Sequence, residues 1–214
     1  NKKWISLAAA VILTVTALPA TVFAAKNGES KEELTKVTLN EVAHSIFYAP
    51  QYVAIEEGYF AEEGLDLTLV TGFGADKTMT AVISGEADIG LMGAEASIYA
   101  YQEGATDPVV NFAQLTQRAG NFLVAREEMP DFTWDELRDK RVLGGRKGGM
   151  PEMVFEYILK NHNIDPMTDL EIDQSIDFGS TAAAFTGHMS ADFTVEFEPS
   201  ATALEREGKG YVVA

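Results

Sequence analysis

Five acidic residues lie close together early in the chain, and such a carboxylate cluster could bind a metal ion or carry out acid–base chemistry. They fall in the stretch YAPQYVAIEEGYFAEEGLDLTLV, residues 48–70, at Glu56, Glu57, Glu62, Glu63 and Asp66. The apolar residues of this stretch recur at offsets of roughly three and four, the spacing of one helix face. That face consists of Tyr52, Val53, Ile55, Tyr59 and Phe60. Because Glu56 and Glu57 lie off it, we expect a helix, a glycine turn and a strand whose acids face solvent.

Residue types needed for nucleophilic or metal chemistry are missing or dispersed. The chain has no cysteine, which excludes thiolate zinc sites, disulfides and cysteine nucleophiles. Its three histidines, His44, His162 and His188, are far apart and form neither an HxH nor an HExxH motif. The nucleophile elbow G-x-S-x-G is also absent. We therefore expect no metal, no cofactor and no catalytic residue.

A glycine-rich segment runs from Gly144 to Gly149 and has the composition of a phosphate-binding loop. Such a loop needs Lys-Ser/Thr directly after its last glycine, whereas Met150-Pro151 follows here. Nucleotide hydrolysis is therefore not predicted. Two interpretations remain: free amides at a helix N-terminus that bind an anion or a polar group, or a tight turn without a ligand.

Two further positions could contact a ligand. His44 lies in the loop after the first predicted strand, and open parallel sheets bind ligands beyond the carboxyl ends of their strands. A loop histidine without a role is the alternative. Glu196 and Glu198 flank Phe197 where a predicted strand meets a predicted helix. They form a buried acid pair suited to acid–base chemistry, or Glu198 simply occupies a helix N-terminus favoured by the helix dipole.

Composition indicates a folded protein that does not bind nucleic acid. The chain has 214 residues, 46% of them hydrophobic, which is enough for one large domain or two small lobes. Its formal net charge of −17 repels nucleic acid phosphates and anionic lipid.

The N-terminus has the layout of a secretory signal peptide over residues 1–24. A basic start at Lys2 and Lys3 precedes an apolar core, and small residues at Val22 and Ala24 form a cleavage site. A transmembrane anchor is the alternative, but the apolar run is short for a span of about 20 residues. Residues 25–36 form a polar leader before the folded part.

Beyond the leader, predicted strands and helices alternate, which indicates βαβ units and a mainly parallel sheet. Predicted strands cover 36–42, 65–71, 87–93, 109–117, 121–127, 141–145, 170–176, 190–197 and 210–214. Predicted helices cover 49–60, 75–86, 94–104, 133–140, 148–164, 180–188 and 198–208. The helix over 133–140 would begin with a capping box formed by Thr133 and Glu136. We expect a first lobe over 37–117, a crossover over 118–132 and a second lobe over 133–214.

Three segments together resemble the substrate-binding proteins of ABC importers. They are YAPQYVAIEEGYFAEEGLDLTLVTG, SGEADIGLMGAEASIYA and the EFEPSA junction. The branch is the one that binds nitrate, sulfonates, taurine and thiamine-precursor pyrimidines. The resemblance covers residues 37–214 and implies an α/β, type II periplasmic-binding-protein fold. In that fold two lobes, with parallel-rich sheets and flanking helices, close over a small ligand.

Two features depart from the family's pattern. Members return to the first lobe through C-terminal helices, and this sequence lacks that return, so we expect an incomplete first lobe. The lipobox cysteine of many Gram-positive members is also absent, which favours a soluble protein of the periplasmic type.

The resemblance places the ligand at the loops between the lobes. The implied contacts are His44, Ser45, Phe47, Tyr48, Phe73, Gly74, Gly93, Glu95, Ser97, Gln117, Arg118, Gly148, Gly149, Met150 and Glu196. Relatives commonly show an aromatic-acid-proline triplet where Phe197-Glu198-Pro199 stands. Glu198 is therefore expected to support the scaffold and Glu196 to face the ligand.

The implied function is that of an exported, monomeric, non-catalytic receptor that captures a small molecule and docks on a membrane permease powered by a separate ATPase. Burying Glu95 and Glu196 beside an anion would cost free energy, so the expected ligand is a heteroaromatic or amine-bearing molecule such as a thiamine-precursor pyrimidine. Arg118 could pair an anion, which keeps nitrate, sulfonate and taurine as alternatives. The second hypothesis is an enzyme of pyrimidine biosynthesis on the same fold. Such an enzyme would usually need a cysteine-rich iron site, and this chain has no cysteine. A third hypothesis is a two-lobe ligand-sensing domain of a regulator, against which the signal peptide and the absence of a DNA-binding helix pair argue.

Export can be tested at the cleavage site. We expect cleavage after Ala24, because Val22 and Ala24 are the small residues that signal peptidase requires. N-terminal sequencing of secreted protein should therefore begin at Ala25. An intact N-terminus in the membrane fraction would contradict this expectation.

Overall fold

The computed structural model describes residues 33–106, 109–118, 120–177, 179–187 and 190–214. The predicted signal peptide and most of the polar leader lie outside the described residues, as does His188. In the described part of the chain, no helix is both long and apolar enough to cross a membrane.

The first sheet contains three parallel strands. They are β1 (Thr35–Glu41), β2 (Leu65–Thr71) and β3 (Ile89–Leu91), in the order β2-β1-β3. A 3-10 helix (Ile46–Tyr48), α1 (Ala49–Glu56) and α2 (Tyr59–Glu62) connect the first two strands, and α3 (Ala75–Ser84) leads to the third. Helix α4 (Glu95–Gln102) follows β3. Because the strands are parallel, the loops that begin α3 and α4 emerge from the same edge of the sheet as the 3-10 helix.

The second sheet contains five strands in the order β6-β5-β7-β4-β8. They are β4 (Asn121–Ala125), β5 (Arg141–Leu143), β6 (Glu171–Asp173), β7 (Phe193–Phe197) and β8 (Tyr211–Val212). Strand β5 runs parallel to β6 and β7, whereas β4 runs antiparallel to β7 and β8. A 3-10 helix (Trp134–Leu137), α5 (Met150–Asn161), α6 (Thr181–Gly187) and α7 (Ser200–Arg206) complete this part. The predicted α/β fold with parallel-rich sheets is confirmed.

The second sheet begins inside the segment expected to be the crossover. Strand β4 lies within 118–132 and pairs with β7, with Asn121 opposite Phe197. Its Leu123 belongs to the buried core that also contains Leu159 of α5 and Phe193 of β7. The lobe boundaries themselves stay a prediction.

The predicted strand over 109–117 is wrong. Residues 109–117 form neither helix nor strand, and Val110, Phe112 and Leu115 are largely exposed. Alternating apolar residues indicate strand propensity, but a strand forms only where a neighbour accepts and donates its backbone hydrogen bonds.

The predicted helix over 133–140 is also wrong, because only a 3-10 helix forms. The Glu136 amide donates to the Thr133 carbonyl at 3.1 Å, an i to i+3 bond, and the Thr133 side chain makes no cap. Arg138 already has an extended backbone.

The stretch 48–70 follows its prediction in part. All five acids are exposed, which confirms the solvent-facing interpretation. The helix divides at Gly58, whose φ of 77° lies in the left-handed region. Val53 and Tyr59 are exposed, so the predicted apolar face is only partly buried.

Leu159 offers a test of the buried core that it shares with Leu123 and Phe193. It is 0% exposed on α5, whereas Met153 of the same helix is 40% exposed. Leu159→Ala should lower the free energy of unfolding by about 2–5 kcal/mol through lost burial and a cavity. Met153→Ala should change it by less than about 0.5 kcal/mol. Urea denaturation measures both, and equal effects would contradict the described packing.

Candidate functional site

A fully buried carboxylate lies at the carboxyl end of β1. Glu41 accepts hydrogen bonds from the Tyr52 hydroxyl (2.8 Å), the Gln51 side-chain amide (3.1 Å) and the Thr71 hydroxyl (3.1 Å). His44 Nδ1 lies 3.0 Å from the same carboxylate. Burial and the bond to Glu41 raise the pKa of Tyr52 to about 12. The network ties the start of α1, the end of β2 and the β1–α1 loop to one point.

The loop between β1 and α1, which this network holds in place, carries the aromatic residues Phe47 and Tyr48. The Tyr52 hydroxyl lies 3.0 Å from the Ser45 amide, which donates to it, and the Phe47 amide donates to Ser45 Oγ at 3.3 Å. Phe47 and Tyr48 follow with ring centroids 5.7 Å apart. Phe47 also lies 6.2 Å from the ring of Phe197 in β7. The loop therefore brings an aromatic cluster from the first sheet against the second.

A small cavity lies where the ends of the two sheets meet, and we call it the inner cavity. Its volume is about 50 Å³. Its lining consists of Val42, Phe47, Tyr48, Gly74, Ala75, Gly93, Glu95, Arg146, Gly149, Met150, Pro151 and Phe197. The lining thus comes from loops that follow β1, β2, β3 and β5, and from the end of β7. This is the location at which open α/β sheets bind ligands.

Glu95 is the buried acid of the inner cavity. It is 7% exposed at the start of α4, and its Oε1 has no hydrogen-bond partner among the described residues. A Cβ atom on Gly93 would lie 2.1 Å from both its oxygens, so a larger residue there would displace the Glu95 carboxylate. Burial raises the pKa of Glu95, while the backbone amides of Glu95 and Met150 oppose that rise by stabilising the carboxylate.

Arg146 is the one cation among the described residues that line the inner cavity. Its Nε and Nη2 donate to the two carboxylate oxygens of Asp76 at 2.9 and 2.8 Å. Its Nη1 donates to Asp177 at 3.1 Å. The Arg146 guanidinium, through its hydrogen bonds, holds the pKa of Asp76 below its usual value. Asp76 belongs to α3, so this ion pair crosses from the first sheet's helices to the second sheet.

Three of the described helices begin beside the inner cavity, and each has an acid in its first turn. They are Asp76 in α3, Glu95 in α4 and Glu152 in α5. The Gly148 amide donates to Glu152. The positive ends of the three helices therefore already face carboxylates of the protein itself.

An open outer groove of about 1030 Å³ adjoins the inner cavity, and Ala75 lines both. We call the inner cavity and the outer groove together the cleft. Helices α3, α4 and α5 form its walls, with exposed Ile83, Tyr99, Met153 and Tyr157. Nowhere in the described ranges do three or more histidine or acidic side chains form a group that could hold a metal ion.

The residues expected to contact a ligand fall into three sets. The inner cavity is lined by Phe47, Tyr48, Gly74, Gly93, Glu95, Gly149 and Met150, and the outer groove by Gly148. The residues that line neither are His44, Ser45, Phe73, Ser97, Gln117, Arg118 and Glu196.

Several residues of the last set already have other contacts or face solvent. The Ser97 hydroxyl donates to the Ala94 carbonyl at 2.7 Å and accepts from Asn111. Gln117 and Arg118 are exposed, and so is Phe73.

Glu196 is buried on β7 and accepts a hydrogen bond from the Thr194 hydroxyl at 2.7 Å. Burial raises the pKa of Glu196, and hydrogen bonds from Thr194 and Thr181 oppose that rise. Glu198 accepts hydrogen bonds from the Thr202 amide and hydroxyl at the start of α7. These bonds agree with the interpretation that Glu198 occupies a helix N-terminus.

Sequence reasoning missed Glu41, Asp76 and Arg146. Asp76 carried one usable signal, since an acid in a helix's first turn after Gly74 indicates a helix N-terminus. Its partner Arg146 lies in the glycine-rich segment that was noted for its glycines alone. The pairing joins residues seventy positions apart, and no local pattern reports it.

A family model described as NMT1/THI5 like matches residues 46–213. The chain belongs to this family. A similar protein is "Putative binding protein YtlA" of Bacillus subtilis (strain 168), which is 49% identical over 212 residues. That alignment covers 99% of this chain and 62% of YtlA.

Solved structures support the family's fold. The ligand-binding component of an ABC-type import system from Staphylococcus aureus matches with a TM-score of 0.63 and 17% identity, over 84% of this chain and 60% of that one. The periplasmic aliphatic sulphonate binding protein SsuA from Escherichia coli matches with a TM-score of 0.57 and 16% identity, over 83% and 59%. These likenesses show the type II periplasmic-binding-protein fold. The chain spans about six-tenths of the length of these three proteins, 59–62%.

The Glu41 network can be tested by one isosteric change. Glu41→Gln turns an amide toward donors that need an acceptor, which should cost about 1–3 kcal/mol for each donor left unpaired. Exposed Glu57→Gln should change the free energy of unfolding by less than about 0.5 kcal/mol. Both are measured by urea denaturation, and a Glu41→Gln protein as stable as the parent would refute the network's role.

Proposed function

We propose that this chain forms the solute-binding part of a substrate-binding protein of the ABC import type. In this proposal the protein is exported, non-catalytic and monomeric, captures a small molecule between its two sheets, and delivers it to a membrane permease with its ATPase. Family membership and the fold support it. The name of YtlA and the description of the Staphylococcus aureus protein point the same way.

The observation that carries the proposal is the unsatisfied acid in the inner cavity. Glu95 is 7% exposed, yet its Oε1 lacks a hydrogen-bond partner within the described ranges. Leaving a buried acceptor unpaired costs about 1–3 kcal/mol, and more for a charged group. A ligand that donates a hydrogen bond here removes this cost, which is a source of binding free energy.

The chemistry of the lining favours an amine-bearing heteroaromatic ligand, such as a thiamine-precursor pyrimidine. Phe47, Tyr48 and Phe197 contribute aromatic rings to the lining, and Glu95 contributes an acceptor for an amino group. Glu196 is a weaker candidate for that role, because Thr194 already donates to it. An anionic ligand such as nitrate, a sulfonate or taurine would have to place its anionic group beside Glu95. The nearby Arg146 already pairs with two acids.

Ligand entry requires the sheets to separate. The inner cavity of about 50 Å³ is far smaller than ligand pockets, which span roughly 300–1,000 Å³. The outer groove adjoins it at Ala75 and supplies the path. The proposed cycle is therefore opening of the groove, entry of the solute, and closure around it.

Calorimetry of the purified protein tests the ligand class. Glu95→Gln should weaken binding of 4-aminopyrimidine about tenfold or more, because it removes a charge-assisted hydrogen bond. Exposed Glu62→Gln, which lines neither cavity, should bind as the parent does. Tight ethanesulfonate binding that Glu95→Gln leaves unchanged would contradict the proposed ligand class and would not affect the fold assignment.

A further inference from the structure

We propose that Asp76 determines the charge selectivity of the cleft: by occupying Arg146, it makes the cleft reject small anions. The inference rests on the proposed solute-binding function and names one specificity-determining residue for it.

The cleft contains the parts of an anion-binding site. Helices α3, α4 and α5 begin at it, and their N-terminal residues Ala75, Glu95 and Met150 line the inner cavity. Helix N-termini present unpaired amides and a positive dipole end to anions. The guanidinium of Arg146 adds a planar set of donors that matches carboxylate-like groups.

The protein's own carboxylates take those places. Asp76 engages Nε and Nη2 of Arg146 in a two-bond arrangement, and Asp177 engages Nη1. The side chain of Arg146 is only 22% exposed. One guanidinium therefore faces two carboxylates, and the buried Glu95 adds a further carboxyl group to the lining of the inner cavity.

The Asp76–Arg146 ion pair lies directly against the backbone of Gly74. A Cβ atom at this position would lie 2.5 Å from Asp76 Oδ1 and 2.6 Å from Arg146 Nε. The backbone of the β2–α3 loop thus approaches the pair as closely as a glycine allows.

Removing the Asp76 charge should convert the cleft into an anion site. Asp76→Asn leaves Arg146 with one acidic partner, and the new amide can accept only one of the two hydrogen bonds that the Asp76 carboxylate accepts, so one donor of Arg146 is released. The parent protein should show no methanesulfonate binding in calorimetry at low ionic strength. Asp76→Asn should bind methanesulfonate at least about tenfold more tightly than the detection limit for the parent.

Three comparisons assign any gain to Arg146. The Asp76→Asn/Arg146→Gln double variant should lose it. Asp177→Asn, which removes the charge of the partner that accepts a single hydrogen bond from Arg146, should gain less. Asp135→Asn breaks an exposed pair with Arg138 at 3.1 Å, away from both cavities, and should gain nothing.

Methanesulfonate binding by the parent would overturn the proposal, as would folded Asp76→Asn without any gain. Should Asp76→Asn fail to fold by circular dichroism, Asp177→Asn decides alone, and no gain in it overturns the proposal. A 4-aminopyrimidine affinity that Glu95→Gln leaves unchanged counts against the ligand proposed above, whereas the anion gain of Asp76→Asn is measured independently.

Discussion

A carboxylate buried away from water must be surrounded by hydrogen-bond donors, and the first sheet is organised around one such group. Glu41 ends β1 with no exposed surface, and its donors come from the β1–α1 loop, α1 and the end of β2. An unpaired acceptor there would cost the desolvation free energy of a charge. The loop that carries Phe47 and Tyr48 is therefore held where the second sheet can meet it, and the geometry of the cleft depends on that one network.

The same constraint governs the cleft itself, where it is met only in part. Asp76 has Arg146 as a partner, and Glu152 has the Gly148 amide. Glu95 retains an oxygen without a partner in the described residues. The carboxylates that have partners fix the walls and neutralise Arg146. In our proposal, Glu95 is the point at which a hydrogen-bond donor of the ligand makes the free energy of binding more favourable. This contrast separates the structural acids from the one that we assign to binding.

Sequence patterns predicted the parts of the fold that depend on near neighbours. Strand β2 has the predicted bounds, and the acids of 48–70 face solvent as their spacing indicated. The family segments placed Gly93 and Glu95 at a helix start beside the cleft, where they lie. Failures occurred where a distant partner decides. Residues 109–117 have strand-forming side chains but pair with no strand of the described residues. The Glu41 and Arg146 networks join residues up to seventy positions apart.

We propose that the cleft holds a small molecule that donates a hydrogen bond to Glu95. Native mass spectrometry of freshly purified protein, followed by release and identification of any bound compound, tests it most directly. We expect a neutral or cationic compound that carries an amino group on an aromatic ring. Release of nitrate, a sulfonate or another small anion would contradict it.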